Sequence, residues 1–443
     1  MFKHKTVFIW LLIVTVTFTG VFLNRNLLEN VNAGESEHYQ RIKTFAETLS
    51  LVKKNYVEPV DEKDLVYGAI KGMLNSLDPH SSFMAPEHFK EMQIDTKGEF
   101  GGLGIQIGIK DKILTIISPI DDTPAFNAGV KAGDKIIKID GESTKDITIH
   151  EAVTKLRGPK GTPVTITIVR EGLEKPLDIK IVRDIIKLKS VKHKIIDETI
   201  GYIKITQFQE KTAEDLRNAL EEIEKKNINS LILDLRNNPG GLLKGAVDVS
   251  SLFLPSQKLV VYIKGRSGDK TEFKTVKGNR HFDYPMVVLV NQGSASASEI
   301  VAGAMQDWEK AVVLGTQTFG KGSVQTVIPL SDGSALRLTT ARYYTPKDRS
   351  IQTTGITPDI IVKLKTTNGA KTHVVFREKD LDKHLENDTE KKETTEEKKE
   401  NDKSEDELQT VPSIVSEDED NQLQRAIDLL KGWRVFKKFP EAS

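Results

Sequence analysis

The spacing of apolar positions changes twice along the chain. From residue 37 to about 77, Ile42, Phe45, Leu49 and Val52 recur at helical spacing, as do Leu65, Ala69 and Met73 after Asp61. This predicts two amphipathic helices. A pair this short buries its stripe only against the next domain or another subunit. From about 98 to 184 the period drops to two, and residues 113–117 and 164–168 read as half-buried strands punctuated by glycine and proline. Between them a turn at 128–134 feeds a strand ending on Asp140-Gly141, and residues 148–156 read as one short helix. From about 187, continuous apolar runs at 230–235, 286–290 and 312–314 alternate with helical patterns at 213–223 and 296–308. That alternation predicts an α/β core with a largely buried sheet.

After Phe376 the core pattern stops. Residues 387 to about 420 are mostly Glu, Lys, Asp and Thr and read as a disordered linker. Leu423, Ala426, Ile427 and Leu430 then restore helical spacing, a short amphipathic helix that needs a partner surface. At the other end, Lys3 and Lys5 precede an uncharged apolar run at 7–23, which reads as an export signal. Val31-Asn32-Ala33 resembles a cleavage site but lies far from the run, and the run is short for a membrane span. A cleaved signal peptide and a retained anchor both stand, and either predicts an exported, periplasmic or otherwise extracytoplasmic protein. The expected division is 1–34 signal or anchor, 35–97 helical region, 98–184 β-rich domain, 185–375 α/β core and 376–443 charged linker with a terminal helix.

Composition narrows the chemistry. With 64 basic and 64 acidic residues among 443, no net field draws the protein to nucleic acid. The absence of cysteine excludes disulfides, a thiol nucleophile and thiolate metal sites. No histidine pair has the His-Glu-x-x-His spacing of a zinc hydrolase, and no loop has the full phosphate-binding pattern.

Three loops carry candidate chemistry. Asn291-Gln-Gly-Ser294-Ala-Ser296-Ala-Ser298-Glu299-Ile300 joins a strand to a helix, where backbone N–H groups converge. That placement suits an acyl-enzyme nucleophile as well as it suits plain N-capping by Ser294 or Ser296. Thr318-Phe-Gly-Lys321-Gly-Ser-Val-Gln325 sets a lysine between glycines, and a lysine serves as general base only where burial keeps it neutral. Asp234-Leu-Arg-Asn-Asn-Pro-Gly240-Gly241 offers amides for half of an oxyanion hole.

Together, and with Leu77-Asp78-Pro79-His80-Ser81-Ser82-Phe83-Met84, these motifs resemble the carboxyl-terminal processing peptidases, serine proteases also called tail-specific proteases. The resemblance spans roughly 39–362. It implies an α/β protease core of ClpP/crotonase-like kind with an inserted PDZ domain, Ser296 as nucleophile, Lys321 as base and Gln325 orienting the amine. It further implies oxyanion donors at Ala297 and at Gly240 or Gly241, no cofactor, homo-oligomers, and protein substrates bound by their C-termini. An adaptor that delivers substrates is a further possible partner. Ser296 over Ser294 and Ser298 is chosen by the family register alone.

Residues Gly98-Glu-Phe-Gly-Gly102-Leu103-Gly104-Ile105 look like a PDZ carboxylate-binding loop, whose amides capture a chain end while the peptide adds as a strand. Arg157, at the end of the groove helix, is a candidate for signalling PDZ occupancy to the core. A Ser-His-Asp arrangement with Asp234 and His281 is the catalytic rival; His80, His150 and His193 show no catalytic setting in the sequence. A non-catalytic scaffold would be marked by loss of the serine or lysine, and both are present.

Overall fold

The computed structural model describes residues 37–276, 282–365, 372–374, 376–388, 410–412 and 419–437. The chain divides into two compact units, Met1–Ser76 and Leu77–Ser443. In the first, helices span residues 37–55 and Glu62–Asn75. Asp61 starts the second by accepting the Lys63 N–H at 2.7 Å. Ile42, Phe45 and Met73 on the apolar stripes are 57%, 48% and 62% exposed, so these faces keep their need for a partner. The apolar run at 7–23 lies outside the described residues. Among those described, no helix is long and apolar enough to cross a membrane.

The second unit contains a six-stranded antiparallel sheet of Ile105–Lys110, Ile113–Pro119, Lys135–Ile139, Pro163–Val169 and Leu177–Val182, with Glu142–Ser143 beside the third. Its period-two pattern sends Val164, Ile166 and Ile168 inward with Leu114, Ile116 and Ile136. The Ile149–Leu156 helix closes this core with Ala152 and Leu156, and a reciprocal Thr148–Glu151 capping box starts it. The chain enters and leaves this domain side by side, because Glu99–Gly102 pairs antiparallel with Asp184–Lys187.

The core sheet follows chain order: Val191–Ile196, Ile200–Ile205, Ser230–Asp234, Met286–Val290, Val312–Gly315 and Ile360–Ile361. The first pair is antiparallel and the rest parallel. Helices Thr212–Glu224, Leu243–Ser250 and Ala297–Asp307 cover one face through Leu220, Val249 and Val301. The terminal helix Asn421–Phe436 covers the other, setting Leu423, Ala426, Ile427 and Leu430 on Ile232, Val287, Leu289 and Leu314. Burial of both faces is why the central strands read as unbroken apolar runs. The partner surface that the terminal helix required is therefore this sheet.

A second sheet is built on Ala335–Tyr344, which pairs with Ser82–Met84, Leu259–Gly265 and Ser323–Pro329. Two details depart from the sequence reading. Thr410–Pro412, inside the stretch read as disordered, pairs with Thr372–Val374. Residues 376–388 pack on the core although their charged composition resembles a linker, and Glu378 is fully buried there. Composition averages over a window and misses a single charged residue that finds partners.

Candidate active site

The parallel strands bring the three motif loops to one edge, since all three leave carboxyl ends: after Asp234, after Val290 and after Gly315. Ser296 is the residue before the Ala297–Asp307 helix, with φ 55° and ψ −113°, a left-handed value that a serine adopts at a cost of roughly 1–3 kcal/mol. Neighbouring bonds hold it there. Ala295 N–H donates to Asn238 O at 3.0 Å, and the Ser296 N–H donates to the Glu299 carboxylate at 2.8 Å. Such a turn presents the side chain outward, as nucleophile elbows do.

The same bonds separate the three serines. Ser294 Oγ donates to Leu235 O at 2.8 Å and Ser298 Oγ donates to Asn238 O at 2.9 Å, and both residues are fully buried. Their hydroxyls are occupied with tying the Asp234 loop to the Ser296 loop. Ser296 is half-buried, and its hydroxyl has no such backbone acceptor among the described residues.

Glu299 is the hub of the site. It is fully buried, and each oxygen takes two donors: Thr318 Oγ1 at 2.6 Å and Gly320 N at 2.7 Å on Oε1, Ser296 N at 2.8 Å and Lys321 N at 3.0 Å on Oε2. The backbone nitrogens of Ser296 and Lys321 are thus no farther apart than two hydrogen bonds laid end to end. Burial pushes the Glu299 carboxyl up to about 7, against the pull of its donors.

Lys321 is mostly buried, and its amine forms no ion pair or hydrogen bond among the described residues. Burial lowers its pKa, and the nearby Arg337 guanidinium lowers it further, while Glu378, Glu299 and Asp78 act in the opposite sense from a distance. Gln325 lies on the adjoining strand, with Nε2 donating to Ser323 Oγ at 3.0 Å and Thr339 Oγ1 at 3.2 Å.

Gly240 packs against the serine: a Cβ on it would come within 2.8 Å of Ser296 Cβ and 2.7 Å of Ala295 O. Its N–H is engaged by Asn238 Oδ1 at 2.9 Å. A Cβ on Gly241 would lie 2.1 Å from Phe208 O, so only glycine fits there. Among the described residues the Gly241 and Ala297 N–H groups have no backbone acceptor.

Several contributors were not found from the sequence. Asp78 turns the Leu77–Met84 motif back on itself. Burial alone would raise its carboxyl, but donors on Ser81, His80 and Thr339 hold it below its ordinary value. His80 Nε2 meets the buried Glu378 carboxylate at 2.8 Å; Glu378 also accepts from Gln352 Nε2 at 2.8 Å, and Gln352 Oε1 accepts the Gly322 N–H at 3.0 Å. His80, read as having no catalytic setting, therefore borders the Lys321 loop. His150 and His193 pair with Glu91 and Glu222 away from it, and His281 lies outside the described residues. Arg236 joins Asp234 and Asp420, each through Nη2 at 2.7 Å, fastening the terminal helix beneath the Asp234 loop. These partners lie up to 298 positions apart, which no local pattern reveals.

In the inserted domain, Leu103 is buried and Gly104 O accepts from Ile120 N at 2.8 Å, which shapes the loop between Gly102 and Ile105. Ile105–Lys110 is an edge strand in its sheet and adjoins the Ile149–Leu156 helix, and an exposed strand edge beside a helix is an arrangement to which a peptide can add as a further strand. Arg157 stacks its guanidinium 4.6 Å from the Phe100 ring on the entry strand. Nearby, Lys211 Nζ reaches Glu99 at 2.6 Å and Glu210 N–H reaches Thr96 O at 3.0 Å.

The comparisons with known proteins agree in order along the chain. Residues 15–88 match the activating protease CtpB N-terminal domain, 101–181 a PDZ domain and 199–362 peptidase family S41. A carboxy-terminal-processing protease of Bartonella bacilliformis is 45% identical over 430 residues, covering 95% of this chain and 96% of the relative. The carboxy-terminal processing protease CtpB of Bacillus subtilis is 37% identical, covering 78% and 74%. Among solved structures, a photosystem II D1 C-terminal processing protease overlays with a TM-score of 0.43 at 30% identity, covering 72% of this chain and 86% of that one. A serine at a strained helix start, a mostly buried lysine whose backbone N–H shares the serine's Glu299 carboxylate, and a PDZ domain thus occur in a chain that belongs to the carboxyl-terminal processing proteases, serine-type peptidases of family S41.

Proposed function

We propose that the protein is an endopeptidase that takes the C-terminal tails of exported proteins into its PDZ groove and cleaves them with a Ser296–Lys321 dyad. The observation that carries this reading is the single Glu299 oxygen that binds the N–H groups of both residues, beside a buried lysine with no paired carboxylate. An amine kept out of ion pairs by burial is one that deprotonates below the ordinary lysine range.

Neutral Lys321 takes the proton of Ser296 as Oγ bonds to the substrate carbonyl carbon. The Lys321 ammonium returns that proton to the departing amine as the C–N bond breaks. Water, deprotonated by the same lysine, then adds to the ester carbonyl, and the Lys321 ammonium returns that proton to Ser296 Oγ as the acyl C–Oγ bond breaks. Gln325, its nitrogen held by Ser323 and Thr339, offers its oxygen to orient the amine. The Ala297 and Gly241 N–H groups stabilise the oxyanion, and Gly240 joins them only on release from Asn238.

On the same reading, Gly102, Leu103, Gly104 and Ile105 cradle the terminal carboxylate, and Arg157 reports groove occupancy to the core. The helix-covered core sheet is of ClpP/crotonase-like kind. The domains divide near 34, 97, 184 and 375. The chain acts outside the cytoplasm, held or exported by residues 7–23, as a homo-oligomer that uses its exposed N-terminal stripes, with or without an adaptor. Purified Ser296→Ala and Lys321→Ala proteins are expected to leave an unstructured, apolar C-terminal tail uncut at wild-type concentration. Full cleavage by either variant would overturn the dyad.

A further inference from the structure

Glu378 stands out among the buried charged groups that the mechanism above does not use. It is fully buried although it belongs to the charged segment 376–388, and among the described residues no lysine or arginine pairs with it. Burying a carboxylate is costly unless donors meet its oxygens, and a neutral side chain would fill the same space without that cost. A carboxylate in such a place has a reason connected with what it holds.

It holds the lysine loop on both sides of Lys321. The Glu378 N–H donates to Phe319 O at 3.1 Å, two residues before the lysine. Its Oε1 accepts from Gln352 Nε2 at 2.8 Å, and Gln352 Oε1 accepts the N–H of Gly322, the residue after the lysine, at 3.0 Å. His80 Nε2 fixes the carboxylate, lying 3.0 Å from Oε1 and 2.8 Å from Oε2. The neighbouring Arg377 adds a bond from Nε to Thr318 O at 3.2 Å. The fit is close, since a Cβ on Gly322 would lie 2.4 Å from Gln352 N. Glu299 binds the same loop at Thr318, Gly320 and the Lys321 N–H. Glu378 supplies the ties to Phe319 and Gly322 that Glu299 does not make.

We propose that Glu378 is a positioning residue for the Lys321 amine, clamping the loop from Phe319 to Gly322 so that the amine meets the Ser296 hydroxyl. The proposal rests on Lys321 being the base. Glycines on both sides of the lysine give the loop little stiffness of its own, so its contacts must supply it. A catalytic group displaced by about 1 Å can lose about 100-fold in rate. The clamp also bears on the proton. Arg337 on the Ala335–Tyr344 strand favours the neutral amine, whereas Glu378, Glu299 and Asp78 favour the ammonium, Glu378 the most of the three. Because His80 and Gln352 engage its oxygens, Glu378 holds the loop without pairing with the amine.

Glu378→Ala in the full chain removes the clamp and its charge. Glu378→Gln keeps the size, and with the His80 ring in the tautomer that accepts from the amide it keeps the clamp and removes only the charge. Ser296 labelling by a fluorophosphonate is followed against pH, with kcat and KM on a peptide substrate. The expected result for Glu378→Ala is a fall in labelling rate and kcat per titrated site of about 10- to 100-fold with KM unchanged. Glu378→Gln is expected to label within about five-fold of wild type at high pH, with its midpoint moved to lower pH. Rates within about two-fold of wild type in Glu378→Ala would overturn the proposal. So would a loss that vanishes per titrated site, because the residue would then serve folding alone. A Glu378→Gln midpoint at or above that of wild type would also overturn it, since the carboxylate would then not lie beside the amine. Glu378→Gln fills the native space, so this readout stands even if Glu378→Ala does not fold. Lys321→Ala separates the two claims. If it retains activity, the base assignment fails and this proposal with it; if it is inactive while Glu378→Ala is wild-type, only this proposal fails.

Discussion

The Asp234 loop and the Ser296 and Lys321 loops meet at one site and are braced in opposite ways. Beneath the first, Arg236 lies between Asp234 and Asp420, with Nε also reaching Asp234 at 3.0 Å and Nη1 reaching Asp420 at 2.8 Å. Burial alone would raise the Asp234 carboxyl, but the guanidinium holds it below its ordinary value, so this brace keeps its charge throughout the neutral range. Beneath the second, Glu299 has four donors, none of them a paired cation, and its pKa is pushed up to about 7. A scaffold benefits from a locked ion pair. A lysine base does not, because a carboxylate within bonding distance would keep the amine protonated. Bracing the lysine through its backbone N–H leaves its side chain unpaired.

Breaking the charged brace is expected to have the largest effect on stability. Arg236→Leu leaves two buried carboxylates without their cation and is expected to destabilise the fold by about 3–5 kcal/mol in denaturant melts. Loss of under about 1 kcal/mol would mean that this brace is not what holds the terminal helix. Next comes Glu299→Gln. Since each oxygen has two donors, either orientation of the amide turns its NH₂ toward two N–H or O–H groups. A loss of about 2–3 kcal/mol is expected, with peptidase activity down about 100-fold or more. Wild-type activity in Glu299→Gln would remove the hub from the account.

Lys321→Met tests the opposite sign. A lysine with a depressed folded pKa binds fewer protons folded than unfolded between that value and the ordinary 10.5, so its contribution to stability rises with pH across that window. Below the window the buried ammonium opposes folding. Lys321→Met is therefore expected to be inactive and more stable than wild type at low pH, by about 1.4 kcal/mol for each tenfold loss of proton affinity. The gap should close as pH rises toward the ordinary lysine value, and a gap that widens would contradict a desolvated amine. The smallest effect belongs to Arg157→Ala, where losing the Phe100 stack costs about 0.5–1 kcal/mol. Its activation by substrate tails should weaken, and unchanged activation would dispose of the signalling role.

The sequence showed the scaffold more clearly than the brace. Period-two residues such as Val164, Ile166 and Ile168, and the unbroken Met286–Val290 run, marked strands because burial on one face or both leaves those patterns. The helix expected over 296–308 is observed as Ala297–Asp307, with Ser296 moved from its first turn to the strained residue before it. Glu299 had a visible signal, a glutamate three residues after a serine at a helix start. The sequence pattern gave no sign that its carboxylate would also receive the Lys321 loop. Ser294 and Ser298 could not be set aside without knowing which carbonyls their hydroxyls meet. Asp420 and Glu378 looked like linker charges because their partners, Arg236 and His80, lie far away along the chain.

The most direct test of the dyad is the pH dependence of fluorophosphonate labelling in the wild-type protein and in Lys321→Ala, with the modified residue identified by peptide mass. Labelling is expected at Ser296, at a rate that rises along a titration below the ordinary lysine range and collapses in Lys321→Ala. Labelling at another residue, or a pH profile untouched by Lys321→Ala, would contradict the dyad.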